Sequence, residues 1–100
     1  MSDRRWLEEK ILDFAAVVWD CLGATTYADD WPVYLKDLAV ITGWLVALHR
    51  GMPARDAAGI IVDPQTDKTL SDYYRQGEWG ERHNRAFAAL QTQVREHFGL

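Results

Sequence analysis

Apolar residues recur along this chain at intervals of three and four, the period of a helix with one buried face. The first such run is Leu7, Ile11, Phe14, Val18 and then Cys21 or Leu22, with Glu9, Asp13 and Asp20 on the other side. It predicts a helix from about Ser2 or Asp3, either of which can cap it, to about Leu22, where Gly23 is positioned to end it in a left-handed turn. "ATTYADDWP" follows, and Pro32 suits the first turn of a second helix. That helix is expected from Pro32 to about Arg50, closed by "HRGMP".

The second helix carries "LAVITGWLVAL", a run without charge that is by itself short of the ~20 residues needed to span a bilayer. Its main stripe is Tyr34, Leu38, Ile41, Leu45 and Leu48. The reverse side shows Ala39, Gly43 and Ala47, a row of small residues that lets another backbone approach closely. A central helix with both faces covered is the expectation, the second neighbour being the last helix or a second copy of the chain. A homodimer using this helix is therefore one of the predicted states.

Between residues 54 and 70 the pattern is ambiguous. A short helix from Ala54 to about Gly59 is predicted. After it comes a loop or a small β-hairpin, Ile60–Val62 against Lys68–Leu70, with "DPQTD" as the turn. The remainder reads as helix, split into about 70–76 and 79–98 because Gly77 and Gly80 lie so close together. In the last helix His83, Phe87, Leu90, Val94 and His97 or Phe98 make the buried stripe, with Asn84, Ala88, Gln91 and Arg95 outside. The expected fold is a single all-α domain over residues 1–100, a compact bundle of four or five helices.

Charge and composition narrow the function. Eleven basic and 15 acidic residues give a net charge of -4, which argues against binding nucleic acid through its phosphates. The opening "MSDRRWLEEK" has no apolar stretch after its arginines and is not a secretory signal; with one cysteine, the protein is expected in the cytoplasm, with no membrane partner. Candidate chemistry is sparse. His49, His83 and His97 lack ligand spacing, so no metal is expected. No phosphate-binding glycine loop is present, Cys21 falls on a core stripe, and neither cofactor nor catalysis is expected. Arg75, Arg82 and Arg85 alternate with Glu78 and Glu81, the mixture of a solvated face.

What stands out is tryptophan, five in 100 residues. Trp19 and Trp44 are expected in the core. Trp31 and Trp79 fall at junctions between elements, where an aromatic either plugs the core or anchors a partner. Two contact surfaces follow: an acidic-aromatic corner of Tyr27, Asp29, Asp30 and Trp31, and a junction of Tyr74, Arg75, Trp79 and Arg82. The expected function is non-catalytic binding of a protein partner, as an inhibitor, an antitoxin- or immunity-like factor, or an adaptor. A nucleic-acid-associated regulator is the alternative, and a small enzyme or a small-molecule-binding bundle ranks below it.

Overall fold

The computed structural model describes residues 2–71 and 75–100. Five helices follow one another: α1 (Asp3–Ala24), α2 (Trp31–His49), α3 (Ala54–Ile61), α4 (Pro64–Ser71) and α5 (Gly77–Phe98). A 3-10 turn, Ala28–Asp30, joins α1 to α2. No strand occurs among the described residues.

The sequence explains most boundaries. Ser2 caps α1, its hydroxyl accepting from the Arg5 amide at 3.2 Å. Gly23 does not end α1; the helix runs on to Ala24, and the Thr25 amide donates to Cys21 O. Neither the expected loop nor the alternative hairpin occupies residues 64–70, because "DPQTD" starts a helix. Asp63 Oδ1 accepts from the Gln65 amide at 2.8 Å, and Pro64 takes the first helical position, where a missing N–H costs nothing. The helix expected over about 70–76 is corrected: α4 ends at Ser71, Arg75 and Gln76 are not helical, and the expected break at residues 77–78 is the first turn of α5, which starts at Gly77 (φ +72°) and contains Gly80.

α1 is the central element, packing along α2 and α5 and touching α3. Its stripe Leu7, Ile11, Phe14, Val18 and Cys21 is buried as the period predicts, together with Tyr34, Ile41, Trp44 and Leu48 from α2, and Phe87, Leu90, Val94 and Phe98 from α5. Gln91, expected outside, is buried and donates through Nε2 to Ile61 O at 3.2 Å. His97 stays at the surface, stacked on Trp6 (centroids 3.8 Å apart) and 2.9 Å from Asp3, tying the two ends of the chain together.

Two expectations about packing are corrected. Trp19 is not core but 65% exposed. The small row of α2 is not covered within the chain: Ala39 and Gly43 are exposed, and a Cβ on Gly43 would meet nothing within 4 Å. By length and composition alone the segment Ala28–His49, with mean hydropathy 1.3, could cross a membrane. In the folded chain its inner side is part of the core and holds a buried carboxylate, Asp37.

Candidate partner-binding surface

The two surfaces expected from sequence meet at one end of the bundle, where α1 ends, the 3-10 turn bends and α5 begins. Asp30 is the link, and it is only 2% exposed. Its Oδ2 accepts from the Gln76 amide at 2.8 Å, so it holds the entry of α5 rather than facing a partner. The Tyr27 ring covers Gly77, lying 3.4 Å from where a Cβ would stand. Tyr27, Asp29 and Trp31 are exposed. Tyr74 lies outside the described residues.

Arg75 is inside the protein, contrary to its expected place on the surface. Its guanidinium grips Asp37, with Nη2 to Oδ1 at 2.6 Å and Nε to Oδ2 at 3.1 Å; neither side chain is more than 1% exposed. His83 Nε2 lies 2.9 Å from the same Oδ2, but off the line that a hydrogen bond requires. Its Nδ1 faces Asn84 Oδ1 at 3.1 Å. The rings of Phe14 and Tyr34 stand 5.5 and 5.9 Å from the imidazole. Burial is the main cause that pushes the Tyr34 hydroxyl up to about 12, and burial likewise raises the Cys21 thiol. An acid, a base and a counter-charge thus converge, yet all three are closed to solvent. The arrangement suits a structural ion cluster that ties α2 to α5, since a substrate has no access to it.

Asp37 was missed because a lone aspartate beside Lys36 reads as a solvated charge. Its register says otherwise: Tyr34, Asp37, Ile41, Trp44 and Leu48 form one buried row.

The open surface lies beside this cluster. Trp19, Asp20, Gly23 and Ala24 of α1 and Trp79 and Arg82 of α5 line a shallow dish. Trp79 is half-buried, and its carbonyl accepts from the Cys21 thiol at 3.4 Å, which fixes the backbone at the start of α5. Arg82 lies over the Trp79 ring, 5.4 Å from its centroid, and reaches Asp20 at 3.5 Å. Trp79 and Arg82 are therefore together, as expected. Trp19 and Asp20 join them, and Trp19 could have been found from its position one residue past Val18, off the core stripe. The charges near the dish are mixed in sign: Asp20 pairs with Arg82, and further along α5 Glu81 pairs with Arg85 at 3.8 Å.

Among the described residues no three His, Cys, Asp or Glu side chains converge as a metal site. Comparison with protein-family models, with curated proteins and with solved structures gave no match, so the functional reading rests on this geometry.

Proposed function

We propose that this protein acts by binding another protein, without catalysis, through the dish formed by Trp19, Trp79 and Arg82. The observation that carries the reading is Trp19. A tryptophan 65% exposed in a 100-residue domain leaves a large apolar surface in water, and here it stands beside a second tryptophan stacked under an arginine. Tryptophan and arginine dominate interface energetics, and truncating such an anchor commonly costs ~2 kcal/mol or more of binding. The ring is held on a helix, so little order has to be gained on binding. An inhibitor, an antitoxin- or immunity-like factor, or an adaptor would each work in this way.

Site-specific photo-crosslinking in the source cells tests this reading. A benzophenone side chain at position 19 should capture a discrete protein, whereas one at the exposed Glu96, on the last turns of α5, should not. Equal capture at both positions, or none at position 19, would contradict the assignment.

A further inference from the structure

The outer side of α2 is a second apolar surface, separate from the dish. Along it lie Pro32, Leu35, Ala39, Gly43 and Val46, all exposed; Leu35 is 51% exposed and Val46 41%. Lys36, exposed and seven residues before Gly43, lies on this face near its first turn; from Asp37, which faces inward, to His49 no further charge interrupts it. Its ends carry opposite charge: Asp29 stands just before the helix and Arg50 just after it, both exposed. Neither side chain forms an ion pair among the described residues.

We propose that this face pairs with the same face of a second copy, the two α2 helices lying antiparallel about a two-fold axis near Ala39 and Gly43. The order of charges selects the occupant and its direction. Asp29 and Arg50 are separated by about 30 Å of helix. An antiparallel copy sets Asp29 of each chain opposite Arg50 of the other, giving two equivalent ion pairs. A parallel copy would set Asp29 against Asp29 and Arg50 against Arg50. The midpoint of the face falls between Ala39 and Gly43, where small side chains let the backbones approach and leave Leu35 and Val46 to close over the contact from either end. Self-complementary surfaces of this kind are the usual basis of two-fold dimers.

A bilayer surface suits the face less well. Interfacial helices draw on cationic residues to hold anionic lipid, and this chain carries a net charge of -4. One helix face offers less than the ~800 Å² per partner of a stable interface, so association in the micromolar range is expected.

Analytical ultracentrifugation across the micromolar range tests the pairing. The wild type should sediment as a dimer at high micromolar concentration. Gly43→Glu, at a site with open space around it, should keep the fold by circular dichroism and sediment as a monomer. Asp29→Arg should weaken the dimer by about fivefold or more, and adding Arg50→Asp should restore it. Under mild oxidation Ala39→Cys should cross-link to itself, and Asp29→Cys should not. A wild type that stays monomeric, a dimer indifferent to Gly43→Glu, or efficient self-cross-linking of Asp29→Cys would each overturn the proposal. So would co-sedimentation of the monomer with phosphatidylcholine–phosphatidylserine vesicles.

Discussion

Replacing Asp37 with leucine should be among the most damaging single changes in this protein. The Arg75 side chain is 0% exposed and Asp37 1%, with contacts of 2.6 and 3.1 Å between them. The discount for solvent that leaves surface pairs at ~0–1 kcal/mol does not apply here. Without the carboxylate, a buried guanidinium loses the anion it grips, and breaking a buried pair in this way costs ~3–5 kcal/mol. Domains of this size have ~5–15 kcal/mol of stability in all, and ~1 kcal/mol shifts the melting temperature by about 4–8 °C. Asp37→Leu should therefore lower the melting temperature by about 12 °C or more, or leave the chain unfolded. Thermal and urea unfolding followed by far-UV circular dichroism measures this. Asp37→Leu with Arg75→Leu removes both charges, and most of the loss should be recovered, because an apolar replacement of a buried pair is often neutral. A single-mutant loss below ~1 kcal/mol, or a double mutant as unstable as the single, would refute the view that the pair is a buried, mutually dependent unit.

Three further outcomes follow from the core. Tyr34 is held neutral by burial, its hydroxyl pushed up to about 12, so stability should be steady below the ordinary tyrosine value of ~10 and fall as pH rises from there towards 12; urea unfolding at successive alkaline pH values checks this. The Cys21 thiol is buried and raised in the same way, so iodoacetamide should modify it in urea but scarcely in the native state, as mass spectrometry would show. A Cβ on Gly80 would overlap the carbonyl of Arg75, and Gly80→Ala should cost ~1–3 kcal/mol in urea unfolding despite alanine's better helix propensity.

The helices that carry long apolar periods were legible from sequence. The rows of α1 and α5 identified the buried residues almost completely, since burial on one face leaves that imprint directly. What was not legible depended on contacts between distant segments. Asp30 and Arg75 look like surface residues until Gln76 and Asp37 are brought to them from 46 and 38 positions away. The 63–67 stretch misled because aspartate followed by proline starts a helix as readily as a turn. Trp19 was misplaced for a different reason: its apolar surroundings suggested the core, although its register pointed outward. That register gave the dish a residue which composition alone assigned elsewhere.

The central claim is that Trp19 belongs to a surface that binds a protein. Its most direct test is the affinity of the cross-linked protein for the wild type and for Trp19→Ala, by titration calorimetry. As an exposed side chain, Trp19 should contribute within ~0.5 kcal/mol to folding, so the variant should melt with the wild type. Binding should weaken by about thirtyfold, the equivalent of ~2 kcal/mol. A variant that binds as tightly as the wild type, with its fold intact, would contradict the claim.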